Sequence, residues 1–147
     1  VLMNRARVMC RTDVAEAARF SSVLGYPIEE AAMCQRFEQI SKRVDHGLFV
    51  AGEHPLHGWI HVCEQYLLES EACVEIKGLV VDLSSRRSGV GGLLVEQATT
   101  WALERGFHRM RVRSNVNRIE SHAFYGAIGF KMTKSQQVYD LDLIQKR

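Results

Sequence analysis

"DLSSRRSGVGGLLVEQATTWALERG", residues 82–106, passes from a polar loop through glycines into a long helix. Gly89, Gly91 and Gly92 stand at the junction, and Arg86 and Arg87 stand just before them. Glycine weakens a helix, so three at one helix start call for a reason. A helix N-terminus carries free amide donors and a partial positive charge, and it suits an anion, most often a phosphate. Glycines remove the Cβ atoms that hold a phosphate off the backbone, and arginines add paired charged donors. A Walker loop is excluded because no Lys follows the glycines, and a Rossmann fingerprint fails because "GVGGLL" lacks its last glycine. Two readings of the loop alone stay open: a phosphate cradle, or a turn whose glycines only let helix and strand pack.

The segment before the loop tips the balance. "ACVEIKGLVVDL" (72–83) reads as a long strand, with Cys73, Glu75 and Lys77 on one face and Val74 and Ile76 on the other. Gly78 interrupts it, as at a bulge or a close approach by another group. A bulge there splays this strand from a parallel neighbour and frees backbone groups of Leu79 and Val81 for a linear, amide-bearing ligand. An amide-bearing tail along the strand and a pyrophosphate on residues 86–92 together describe coenzyme A.

Working outward, "RARVMCR" (5–11) reads as a first strand. A helix follows, with Thr12 or Asp13 as N-cap, Glu16 completing a capping box, and Gly25 as terminator. Pro27 starts a second helix with Ala31, Cys34, Phe37 and Ile40 on one face. "GLFVAGE" (47–53) and "WIHVCEQYL" (59–67) form a hairpin about the turn "HPLHG". Val90, Leu94, Ala98 and Trp101 give the helix after the glycines its apolar stripe, and Gly106 ends it. "HRMRVRS" (108–114) is a strand, "RIESHAFYGAIG" (118–129) a short helix and "QQVYDLDL" (136–143) a last strand. The order β-α-α-β-β-β-α-β-α-β defines a single α+β or mixed α/β domain spanning residues 1–147.

The 147 residues are 46% hydrophobic and 24% charged, with a net charge of +2, which suits one globular domain and argues against a nucleic-acid partner. No apolar run reaches membrane-span length, and "VLMNRARVMC" lacks the apolar core of a signal peptide, so a cytoplasmic location is expected with no membrane partner. Cys10, Cys34, Cys63 and Cys73 form no CxxC pair, so no zinc site or other metal is expected, and all four are expected to be reduced and buried in the core.

The chain resembles the GNAT superfamily of acyl-CoA-dependent N-acyltransferases. "RRSGVGG" is similar to its pyrophosphate loop, Q/R-x-x-G-x-G/A, with Arg86, Gly89 and Gly91 in place. "VEIKGLVVD" resembles its central strand, and "VRSNVNRIESHAFYGAIGF" its segment ending in FYxxxGF, with Phe124, Tyr125, Gly129 and Phe130. "LGYP" (24–27) also recurs in the family. The resemblance implies the GNAT fold: a mixed, mostly antiparallel sheet with one splayed parallel strand pair, flanked by about four helices. It also implies acetyl-CoA as co-substrate, held by Leu79, Val81, Arg86, Arg87, Ser88, Gly89, Val90, Gly91 and Gly92. Many members carry an Asn seven positions before the Tyr; here Arg118 stands there and Asn117 next to it.

Amide formation needs a base to free the amine, donors for the tetrahedral oxyanion and an acid for the departing thiolate. The resemblance places Tyr125 at the thiolate; packing under the last helix is its alternative. Glu75, four residues before Leu79, is the candidate base; a solvent-facing carboxylate or a partner of Lys77 is the alternative. His61 reads first as a hydrogen-bonded, partly buried histidine. Trp59 and Tyr66 line either the acceptor site or the packing surface. Cys63 and Cys73 lack an adjacent base, which argues against a ping-pong route. The expected activity is direct acetyl transfer to a primary amine of a small molecule or peptide, with a homodimer compatible. A non-catalytic CoA-binding sensor or interaction module is the second reading.

Overall fold

The structure is a computed structural model that describes residues 6–114 and 116–144; Arg5 of the expected first strand, the rest of the N-terminal stretch 1–5 and Asn115 of the segment before the last helix lie outside the described residues. The chain forms two compact units, Val1–Arg113 and Ser114–Arg147.

The first unit is built on a five-stranded sheet in the order β1-β2-β3-β4-β5. The strands are β1 (Ala6–Val8), β2 (His46–Gly52), β3 (Leu56–Gln65), β4 (Cys73–Val81) and β5 (Met110–Val112). β1 to β4 pair antiparallel in sequence order, and β4 pairs with β5 in parallel. Helices α1 (Val14–Val23) and α2 (Glu30–Ser41) precede β2, and α3 (Val90–Glu104) joins β4 to β5. That crossover makes the parallel pair possible, since parallel neighbours need a long connection.

Residues directly opposite one another in paired strands share a face. Trp59, His61 and Cys63 lie on one face of β3, and the Trp59 indole N–H donates to Ser21 Oγ of α1 at 2.9 Å. Gly47 and Val62 lie on the other face beside Trp101 of α3. The sheet is therefore covered by α1 on one side and α3 on the other. Met9, Val14, Ala17, Phe20, Val50, Leu56 and Val80 form the core on the α1 side, with Met33, Cys34 and Phe37 of α2 packed against it. Val90, Leu94 and Ala98 carry the expected stripe of α3, all buried. Each fully buried Val or Leu contributes about 1.5–3 kcal/mol.

Three expectations are corrected. Glu16 does not complete a capping box at the start of α1; its carboxylate accepts the Leu56 N–H at 2.6 Å. Asp13 is wholly buried and bonds Arg7 through both oxygens at 2.8 Å and the Cys10 N–H at 2.7 Å, so its side chain is committed away from the helix. Cys10 is exposed rather than in the core, because it sits in the turn between β1 and α1; all four thiols are free.

The second unit contains α4 (Ile119–Ala127), which ends before Gly129 at φ 103°. No strand forms at 136–143, the expected last strand. Tyr139, Leu141 and Leu143 of that segment keep an alternating pattern but are 72–87% exposed. A strand needs a neighbour to satisfy its backbone, and none of the described strands pairs with this one. No helix among the described residues is long and apolar enough to cross a membrane.

Candidate functional site

Pairing of β4 with β5 is confined to Val74–Met110, Glu75–Arg111 and Ile76–Val112. β5 ends at Val112, and beyond Ile76 no described strand pairs with that edge of β4, the stretch where the sequence places the gap. The bulge is present. Val62 opposes Ile76 while His61 opposes Gly78, which leaves Lys77 as the extra residue. Leu79 and Val81, half-buried, follow on the free edge.

Gly78 has a second reason to be glycine. A Cβ there would fall 2.8 Å from Trp59 Cζ3 and 2.9 Å from Cη2. The group that approaches this backbone is the Trp59 ring, which lies on the α1 face of the sheet. Trp59 is thus a packing residue at the bulge. Tyr66 lies past the opposite end of β3 from the glycine loop, exposed and edge-on to Phe107 at 6.0 Å.

The loop after β4 leads directly into α3. Asp82 N–H donates to His57 O at 2.8 Å, and His57 Nδ1 lies 2.9 Å from Ser85 Oγ, so the base of the loop is tied to β3. Ser85 is buried, whereas Arg86, Arg87, Ser88 and Gly89 are exposed. Ser88 Oγ bonds Ser85 O. Arg87 and Gly89 both adopt positive φ, 65° and 86°. Gly89 is the N-cap of α3 and offers no capping side chain. The first intrahelical bond there is Leu93 N–H to Gly89 O at 3.0 Å, so helix geometry leaves the amides of Val90, Gly91 and Gly92 without a partner inside the helix. A Cβ at Gly89 or Gly92 would meet nothing within 4 Å. Packing against the protein therefore does not require glycine at either position. The left-handed φ demands it at Gly89, and open space with uncapped amides is what an anion cradle needs.

Glu75 opposes Cys63 across the β3–β4 ladder and is buried on the α1 face. Lys77 Nζ donates to Glu75 Oε2 at 2.7 Å and Arg113 Nε to Oε1 at 3.3 Å. The Lys77 partnership is the alternative the sequence left open. Each oxygen keeps a further lone pair beyond these bonds.

His61, facing the bulge, is pushed down to about 4 by burial, with help from His46 and Lys77. It is neutral at pH 7, and its Nε2 lies 2.8 Å from His46 Nδ1 with the rings stacked. Cys63 opposes His46 on β2, and its Sγ lies 3.3 Å from His46 Nε2. Burial pushes the Cys63 thiol up, so it rests protonated. No sequence spacing signals this cluster, because it is made by register between two strands. The tie from His57 to the glycine loop escaped sequence reading for the same reason.

In the second unit, Tyr125 lies on α4 between Phe124 and Phe130, with ring centroids at 5.2 and 5.5 Å in edge-to-face geometry. Phe130 N–H donates to Tyr125 O at 2.9 Å, closing the FYxxxGF segment on itself. Burial raises the Tyr125 phenol, which keeps it a proton donor at neutral pH. Asn117 is exposed in the turn before α4.

The model of the acetyltransferase (GNAT) family matches residues 12–130. The chain belongs to that family, and the five-stranded mixed sheet with four helices is its fold. No curated protein matches the chain in sequence. Among solved structures it is similar to the aminoglycoside antibiotic 6'-N-acetyltransferase AAC(6')-Ig from Acinetobacter haemolyticus, with TM-score 0.81, 19% identity, and coverage of 95% of this chain and 99% of the other. AAC(6')-Iy, in complex with the bisubstrate analog CoA-S-monomethyl-acetylneamine, gives TM-score 0.82, 20% identity, and coverage of 94% and 97%. A transcriptional regulator from Bacillus halodurans gives TM-score 0.82, 23% identity, and coverage of 93% and 99%.

Proposed function

We propose that this acetyltransferase moves the acetyl group of acetyl-CoA directly to a primary amine of a small molecule or peptide. The observation that carries the reading is the uncapped, glycine-lined start of α3 beside the free edge of β4. In this reading the pyrophosphate lies on the amides of residues 86–92, with Arg86, Arg87 and Ser88 at the loop and Asn117 contributing from the turn before α4. The pantetheine amides pair with the backbone of Leu79 and Val81. The acceptor nitrogen attacks the thioester carbon, a backbone N–H beside the bulge receives the oxyanion, and the C–S bond breaks. Glu75 takes the ammonium proton through its remaining lone pairs, directly or through water. Tyr125 gives its proton to the CoA thiolate and is reprotonated, through solvent, by the second proton that the nitrogen sheds as the amide forms. The 147 residues act as one catalytic domain.

The CoA-bound state of AAC(6')-Iy supports acetyl-CoA as co-substrate, and the aminoglycoside acetyltransferases among the similar folds make a polyamine-like sugar a first acceptor class to try. The exposed Val138, Leu141, Leu143 and Ile144 support self-association of two chains, which sedimentation would read. The test of function is release of free CoA thiol from acetyl-CoA across a panel of aminoglycosides, polyamines, amino acids and peptide N-termini. Turnover with any amine supports the enzyme. Tight CoA binding with no turnover supports instead a CoA-binding sensor, a reading that the fold shared with a transcriptional regulator keeps in play. Absence of CoA binding overturns both.

A further inference from the structure

On the α1 face of the sheet, where β2 begins and β3 ends, three lone-pair donors of different type converge. His46 Nε2 lies 3.3 Å from Cys63 Sγ and 3.9 Å from Asp45 Oδ1, and the three ligand atoms all fall within 4.8 Å of one another. In a tetrahedral zinc site, Zn–S of about 2.3 Å and Zn–N/O of about 2.0–2.1 Å place neighbouring ligand atoms about 3.3–3.6 Å apart. The His46–Cys63 separation already matches that geometry, and the Asp45 carboxylate, 3.9 Å from His46, stands slightly wider.

The surroundings orient these atoms. His46 uses its other nitrogen on His61 Nε2 at 2.8 Å. A ligating histidine needs such a partner to fix its tautomer: with the Nδ1 proton donated to His61, Nε2 presents its lone pair to an ion. Arg43 grips Asp45 through two bonds, at 3.1 and 3.2 Å, and holds the carboxylate in place. Cys63 is fixed by strand pairing with His46 and receives the Gln65 amide at 3.7 Å. Arg43 and Gln65 donate to Asp45 and Cys63 from outside the trio, and the Cys63 S–H has two acceptors in reach, His46 Nε2 and Glu64 O, each at 3.3 Å. Thiol, imidazole and carboxylate atoms thus converge with their donors placed around them, which is an arrangement that a cation can enter.

We infer that Asp45, His46 and Cys63 form a binding site for a zinc-class divalent cation, with solvent completing a fourth position on the Asp45 side. Cys63 and His46 are shielded, whereas Asp45 is a third exposed, so the ion enters past Asp45. Thiolate, imidazole and carboxylate together select zinc or cobalt over calcium or magnesium, which prefer oxygen alone. On binding, the Cys63 S–H bond breaks, its proton passes to solvent and the sulfur pair bonds the metal. The site ties the start of β2 to the end of β3. It uses no residue of the proposed cofactor cradle, so it stands or falls apart from the acetyl-transfer reading.

The test uses the full chain, stripped with a chelator and titrated with Co²⁺. The expected result is one equivalent bound, with a sulfur-to-cobalt charge-transfer band and the intense visible bands of a tetrahedral ion. Zn²⁺ should displace the cobalt and raise the melting temperature of the stripped protein. Cys63→Ser should abolish the charge-transfer band, and His46→Ala should weaken binding at least tenfold. Circular dichroism reports whether each variant folds; Asp45→Asn, at the exposed rim, serves as a milder variant and should also lose affinity. Cys10→Ser and Cys34→Ser, thiols outside the cluster, should change nothing. A wild-type spectrum without the thiolate band, or the same band in Cys63→Ser, overturns the assignment.

Discussion

Gly78→Ala isolates what the bulge glycine is for. The new Cβ would stand 2.8 Å from Trp59 Cζ3 and 2.9 Å from Cη2, well inside van der Waals contact. The Trp59 ring cannot simply turn away, because its N–H is bonded to Ser21 Oγ at 2.9 Å and Ser21 is fully buried. Overpacking of this kind costs about 1–3 kcal/mol, and losing the indole bond would add about 1 kcal/mol. We expect a loss of about 2 kcal/mol, which for a chain of this size lowers the melting temperature by about 4–8 °C. Thermal and urea unfolding measure it. Trp59→Leu removes the ring, so Gly78→Ala made in that background should cost at least about 1 kcal/mol less, a coupling that a double-mutant cycle reads directly. If Gly78→Ala costs less than about 0.5 kcal/mol, or costs the same with Trp59 replaced, contact with Trp59 is not why this position is glycine.

Gly91→Asp puts a carboxylate and a Cβ at the start of α3; it should weaken CoA binding at least tenfold, about 1.4 kcal/mol, and unchanged affinity by calorimetry in a folded variant would remove the cradle. Tyr125→Phe should lower kcat by about 10²–10⁴-fold with little change in acetyl-CoA binding, since the phenol acts only once the thiolate forms; full kcat would reassign Tyr125 to packing between Phe124 and Phe130. Glu75→Gln should be impaired most at low pH and recover at high pH, where the amine deprotonates unaided; equal impairment at every pH in a pH–rate profile would give Glu75 to its ion pairs with Lys77 and Arg113. For Asp13, burial pushes the carboxyl up, but Arg7 and the Cys10 N–H outweigh it and hold it below the usual carboxylate range. Its stabilisation is therefore complete above the unfolded value of about 3.9 and is lost as pH falls through the lower folded value, so unfolding measured against pH should show an acid limb that Asp13→Asn lacks.

Local patterns were legible in the sequence because their causes are local. The stripe of α3, the start of β4 and the glycine junction depend on period and on backbone freedom within a few residues, and the structure has Val90, Leu94 and Ala98 buried as that pattern requires. The bulge was also legible, because Gly78 marked it, and the β4–β5 ladder stops short of it, at Ile76. What the sequence hid was which group a glycine makes room for. Gly78 yields to Trp59, nineteen positions upstream, and only the β3–β4 register brings them together. Asp13 and Glu16 fit a capping box by spacing, yet Arg7 and Leu56 claim them, because tertiary partners outbid a local hydrogen bond once the group is buried.

The same limit explains the cysteines. A search for CxxC tests whether ligands are neighbours in sequence, and it rightly finds none here. Cys63 and His46 are seventeen positions apart and become opposite residues of a ladder. Register in an antiparallel pair sets residues face to face at any sequence separation that the turn allows, so it can assemble donors that no spacing rule describes. That register is itself fixed by burial. Gly47 and Val62, one step along from His46 and Cys63, face Trp101 of α3, and a slip by one residue would turn that whole apolar set to the opposite face. The packing that holds α3 in place, and with it the glycine junction at its start, is therefore also what sets Cys63 opposite His46. A substitution that loosens Trp101 against Gly47 should weaken both CoA affinity at the proposed cradle, read by calorimetry, and Co²⁺ affinity at the proposed cation site, read by its visible bands; loss of neither in a folded variant would break the link.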